Sequence, residues 1–135
     1  HPLACAAGIA SLTVMKEEGL VERSDKLGKI LASELESLKE RHPSVGDVRS
    51  KGLWGCIELV SDRVSKKPLV TWDASGPEMR PMNELTSSLW SQGIFPNRRW
   101  NFIFIGPPLI STEEDLRNAG KALDKALDIA DGYVE

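Results

Sequence analysis

At 135 residues the chain has room for one domain with a real core and not for two. Its 41% hydrophobic and 27% charged content is that of an ordinary globular sequence, and a net charge of −3 excludes a global attraction to nucleic acid or to anionic lipid. No apolar run is long enough to cross a bilayer and no signal peptide is evident, so no membrane role and a reducing cytoplasm are expected.

The chain opens "HPLACAAG" with a helical pattern already under way and no initiator Met, which points to a C-terminal piece of something longer. Leu3, Ala7, Ala10 and Val14 recur at spacings of three and four and mark one helix face, slim enough for another backbone to approach. Gly19 is a plausible stop. A second helix is predicted over 20–41 on the stripe Leu27, Leu31, Leu35 and Leu38, ended by His42-Pro43 because the residue before proline disfavours the helical region. The period then changes. Val45 to Lys51 and Leu53 to Val60 read as strands joined at Ser50-Lys51-Gly52, with Trp54, Cys56 and Glu58 on one face and Gly55, Ile57 and Leu59 on the other. Glu58 needs an arginine partner on so apolar a strand, and Gly55 suggests a bulge or a close approach of another backbone. Residues 61–76 read as a long loop pinned by Leu69, Val70 and Trp72. A third helix is expected over 81–92, short strands over 94–97 and 102–105, and a last helix from Glu113 to about Tyr133, capped by Ser111 or Thr112 with Glu114 or Asp115 reaching back.

No complete catalytic constellation appears along the chain. His1 and His42 have no triad or metal-binding partners nearby and read as structural or solvated; Cys5 and Cys56 lack metal-ligand spacing and read as buried thiols. "GLWG" lacks the spacing of a phosphate loop, and no lysine stands out as a desolvated Schiff-base former. The unusual feature is Arg98-Arg99-Trp100-Asn101, set directly against an apolar strand that ends in Gly106-Pro107-Pro108. Either the arginines reach out to water, or one of them holds an anion. Trp100 offers a face to a guanidinium, Asn101 offers a donor and an acceptor, and the planar arginine fork suits a carboxylate or sulfonate. Strand alternation allows only one of the two arginines to face a ligand.

The runs "HPLACAAG", "VGDVRSKGLWGCIEL" and "RWNFIFIGPPLIST", in that order, resemble the C-terminal part of class III aminotransferases, with "RWN" and "PPL" most like the taurine–pyruvate and ω-amino acid branch. The resemblance implies an α+β fold, the small C-terminal domain of a pyridoxal-phosphate enzyme, with an antiparallel sheet of three or four strands covered by helices. Residues 1–19 would then be the helix leading from a large domain and residues 20–135 the small domain. It implies an aminotransferase as the full-length parent, a homodimer that moves an amino group from an ω-amino acid or amine to a keto acid such as pyruvate. Pyridoxal 5'-phosphate and its lysine would be held upstream, so this fragment alone is expected to be inactive and to bind no cofactor. No residue here is assigned to catalysis, cofactor contact or metal ligation. The one role that transfers is a substrate-carboxylate arginine, at Arg99 with Arg98 as the alternative; Arg49 is read as structural, paired with Glu58 or with the final helix. Two other readings stand beside this one: a stand-alone interaction module docking through its first helix, and a class III relative with different chemistry, such as an aminomutase or a decarboxylase.

Overall fold

The computed structural model describes residues 1–135. Helix α1 spans Pro2–Glu17, and the left-handed Gly19 (φ +59°) turns the chain into α2, Leu20–Arg41. Strands β1 (Val45–Lys51) and β2 (Trp54–Asp62) form a hairpin, and a two-residue strand, β3 (Lys67–Pro68), folds back on the end of β2. A 3₁₀ turn, Gly76–Met79, leads into α3 (Arg80–Ser91). The hairpin of β4 (Asn97–Arg99) and β5 (Phe102–Ile105) follows, and α4 (Glu113–Asp131) ends the fold. The sheet is antiparallel throughout in the order β1-β2-β5-β4, with β3 paired to β2 beside that path. It is the α+β arrangement expected from the sequence, with a fifth, very short strand inside the stretch read as loop.

Three helices bury one face of the sheet. The α2 stripe Leu31, Leu35 and Leu38 meets Ile57, Leu59 and Ile103 of the sheet, with Met82, Leu85 and Leu89 of α3 and Leu123 and Leu127 of α4 closing the core. A smaller cluster of Leu27, Leu53 and Leu116 joins α2, the hairpin turn and the start of α4. The 2.0 and 3.6 periods read from the sequence therefore converge on one layer of apolar side chains. By contrast α1 buries none of its residues, and Leu3, Ile9 and Leu12 stand fully in the open.

The β1–β2 turn sits at Gly52-Leu53, where Gly52 takes φ +54°. Its backbone lies against Gly28 of α2 so closely that a Cβ on Gly28 would come within 2.5 Å of the Gly52 Cα. Ser24 on the same helix accepts the Leu53 N–H at 3.1 Å. At Gly55 there is neither a bulge nor another backbone: the Leu35 side chain of α2 fills the space a Cβ would take, at 3.0 Å, and the break in register falls between Val45 and Asp47 instead.

The C-terminal ends of α2 and α4 are joined by polar contacts. His42, buried, sets Nδ1 2.7 Å from Asp131 and Nε2 3.0 Å from Asp124, while Asp131 also accepts from the Ser44 N–H and hydroxyl. Arg63 reaches back to donate to the Lys39 and His42 carbonyls at the open end of α2 and to the Val45 carbonyl at the start of β1. His42 is thus structural and not solvated. Cys5 is exposed on α1 and Cys56 half-buried on the sheet, which corrects the reading of both as buried thiols: each lies on a surface that this chain leaves uncovered.

Candidate functional site

The face of the sheet turned away from the helices is open. Pairing places Arg49 opposite Cys56, Cys56 opposite Phe104, Glu58 opposite Phe102, and Phe102 opposite Arg99, so these side chains share that face. Trp54, Phe104 and Phe102 run across it with ring centroids 6.1 and 6.3 Å apart at shallow angles. With Arg49, Lys51, Arg99 and Trp100 they line a cleft of about 560 Å³. A larger apolar groove, about 760 Å³, opens between α2, α4 and the exit of β5; its only charged lining groups are the acids Glu34 and Asp115, which disfavour an anion there.

Alternation separates the two arginines. Arg98 pairs with the buried Ile103, points to the helix side and donates to Asn83 Oδ1 of α3 at 2.7 Å. Arg99 pairs with Phe102 on the open face, and its guanidinium carbon lies 4.3 Å from the centroid of the Trp100 ring. The strand carrying them is Asn97–Arg99 and not the 94–97 expected; Ile94 is instead held by a backbone bond to Leu89 at the end of α3. Asn101, expected to offer its amide beside the arginines, is buried and donates to the Leu59 carbonyl at 2.9 Å, clamping β5 to β2.

Arg49 donates to Asp47 at 2.8 Å and to Glu58 at 2.9 Å, as the acid on an apolar strand required; it makes no bond to the final helix. Hydrogen bonding from Arg49, then from Lys39, holds the Asp47 carboxyl below the usual carboxylate range. Burial pushes the Cys56 thiol up, against the pull of the Arg49 charge, so it stays a thiol and not a nucleophilic thiolate near neutral pH. Two contributors to the site were not singled out from sequence. Lys51 borders the cleft through the same alternation that carries Arg49, and Trp72, read as a loop pin, packs edge-on to Trp100 at 6.4 Å.

Near α4, His42, Asp128 and Asp131 bring ligand atoms within 4.8 Å of one another. Both ring nitrogens of His42 already face carboxylates, so the group works as a helix-to-helix tie.

The sequence that builds this architecture matches the family model described as aminotransferase class III over residues 1–127, and the chain belongs to that family. It is 34% identical over 122 residues to a taurine–pyruvate aminotransferase of Bilophila wadsworthia, covering 90% of this chain and 26% of that protein. It is 33% identical over 127 residues to an (R)-1-hydroxy-2-aminoethylphosphonate ammonia-lyase of Vibrio splendidus, covering 93% of this chain and 25% of that one. Among solved structures, a taurine:2-oxoglutarate aminotransferase from Bifidobacterium kashiwanohense, in complex with PLP and glutamate, superposes with a TM-score of 0.89 at 30% identity, over 98% of this chain and 29% of that one. The chain thus spans about a quarter of the length of the relatives it matches.

Pyridoxal phosphate is implied by the family, and the residues present do not fit it by themselves. A lysine that forms a Schiff base is activated by desolvation or by a neighbouring cation. Here no lysine is buried: Lys39 is half-buried and paired with Asp47, and Lys51 stands exposed at the rim of the cleft.

Proposed function

We propose that the chain is the small domain of a longer aminotransferase and that its open sheet face anchors the acidic group of the substrate through Arg99. In this reading residues 1–19 form the helix that leads in from a large domain, and residues 20–135 form the small domain. The exposed apolar surface of α1 supports this over a free-standing interaction module, which would leave Leu3, Ile9 and Leu12 in water. The donor is an ω-amino acid carrying a carboxylate or sulfonate, the acceptor a keto acid such as pyruvate, and the chemistry is completed by residues outside this segment. The parent works as a homodimer, and the free thiols of Cys5 and Cys56 suit a reducing cytoplasm.

The observation that carries the reading is the contrast between the arginines of the cleft. Arg49 is neutralised by Asp47 and Glu58, and Arg98 is turned away to Asn83, whereas Arg99 presents its fork on the open face without a carboxylate partner. A planar guanidinium binds a carboxylate or sulfonate through two parallel N–H bonds, which fixes the far end of the donor and therefore the position of its amine.

Arg99→Ala in the full-length enzyme tests it. The KM for an acidic donor should rise roughly 10- to 100-fold, as expected for losing charge-assisted hydrogen bonds, while a neutral amine stays within about twofold. Equal loss for both donors would refute the anchor. The likeness to the Vibrio splendidus lyase favours a second reading, elimination of the amino group instead of its transfer. Turnover that continues without any keto acid and releases ammonia would establish that reading in place of transamination.

A further inference from the structure

We propose that Trp100 is a positioning residue that aims Arg99, presenting the edge of the guanidinium to the substrate's acid group; this rests on the anchoring role assigned to Arg99. Trp100 takes φ +51°, in the left-handed region. At the tip of a tight hairpin that conformation is normally given to Gly, Asn or Asp, because a Cβ is crowded there. A bulky aromatic held in it is strained, and such strain persists where surrounding contacts over-determine it.

Those contacts are present. The Trp100 ring lies beneath the Arg99 guanidinium at 4.3 Å, and Trp72 meets it edge-on with ring centroids 6.4 Å apart at 86°. Next along the chain, Asn101 is locked by its bond to the Leu59 carbonyl, so the turn cannot relax by sliding.

The chemical consequence follows from how a guanidinium is held. A carboxylate partner would orient Arg99 but would occupy its N–H fork and cancel its charge, as Asp47 and Glu58 do to Arg49 in the same cleft. An indole face attracts the cation through its quadrupole and leaves every in-plane N–H free. Trp100 therefore fixes direction without consuming donors. The ligand this favours is an oxyanion with two acceptor oxygens meeting the guanidinium edge-on, a carboxylate or a sulfonate.

The test uses the full-length enzyme and the variants Trp100→Gly, Trp100→Phe, Arg99→Ala and the Trp100→Gly/Arg99→Ala double. Glycine suits φ +51°, so the fold should be kept or slightly stabilised; Trp100→Asn, which tolerates the same region, provides a second variant without an aromatic face. Trp100→Gly should raise the KM for the acidic donor about tenfold, with kcat and the KM for a neutral amine within about twofold. Trp100→Phe, which retains an aromatic face, should restore most of the loss. In the Arg99→Ala background Trp100→Gly should have no further effect, since Trp100 acts through Arg99. Equal loss for both donors, no loss in Trp100→Gly, or full additivity in the double variant would overturn the proposal while leaving a selective Arg99→Ala effect, and the anchor, intact. Absence of selectivity in Arg99→Ala itself would remove the anchor and this inference together.

Discussion

Adjacent arginines on a strand diverge by about half a turn, and that geometry divides the labour between Arg98 and Arg99: one ties β4 to α3 through Asn83, the other stands on the open face over Trp100. Charge alone does not decide which cation is available. Arg49 faces the same cleft, but two carboxylates occupy it. Close packing is equally residue-specific where α2 crosses the hairpin turn. Gly28→Ala should improve helix propensity by about 1 kcal/mol yet set a Cβ against the Gly52 backbone. Because backbone gives way less readily than a side chain, a net destabilisation of about 1–3 kcal/mol is expected, read as a lower urea midpoint. A stabilised Gly28→Ala variant would show that the helix and turn have room to separate.

At the scale of elements, α4 is held at both ends. Its first turn carries a complete capping box: the Thr112 hydroxyl accepts the Asp115 N–H at 3.1 Å, and Asp115 accepts the Thr112 N–H at 2.8 Å. Its C-terminal half is tied to the end of α2 by His42 through Asp124 and Asp131. Thr112→Ala should cost about 1 kcal/mol, visible as a lower thermal midpoint, and Thr112→Ser should recover most of it. Equal loss in both variants would place the effect in the Thr112 methyl group and not in the cap. The β4–β5 hairpin is joined to β2 through the β5 ladder and the Asn101 side chain, while its outer strand β4 spans only three residues at the edge of the sheet and is tied to α3 by Arg98. The candidate anchor therefore sits on the edge strand of the sheet, beside the Trp100–Trp72 contact at the turn.

Taken whole, the molecule carries several carboxylates held below their ordinary range: Asp47 by Arg49, Asp62 by the Ser65 hydroxyl, Glu84 by Arg80, and Asp115 by the Thr112 N–H. Each binds its proton less readily folded than unfolded, so the unfolded chain takes up more protons in acid and stability rises with pH. The contribution is complete above the ordinary carboxylate range, about pH 4, and is lost as pH falls through the lowered values. Unfolding free energy measured from pH 6 to pH 3 should decline toward the acid end, and Asp47→Asn should flatten that limb. These groups are half-buried or exposed and screened by solvent, so each effect is small. An unchanged slope in Asp47→Asn would show that its ion pairs with Arg49 and Lys39 do not persist in solution.

The sequence by itself determined the four helices, the β1–β2 hairpin and β5, with the inner faces of α2 and β2, but neither the short β3 nor the position of β4. The leucine stripe of α2 and the alternation of β2 are local patterns set by a period; for the cap of α4 and the partner of Arg49 the sequence offered two choices each, and the structure chose Thr112 with Asp115 and Glu58. Ordered motifs also made the family legible. Tertiary structure decided the rest. That β5 inserts beside β2, that Arg99 and Trp54 come to share one cleft, that Gly28 meets Gly52, and that His42 bridges two distant aspartates are contacts between residues far apart in the chain, and no local pattern encodes such pairings. Trp100 shows the limit most clearly: its left-handed backbone runs against residue preference and arises from the hairpin, the guanidinium and a second indole acting together.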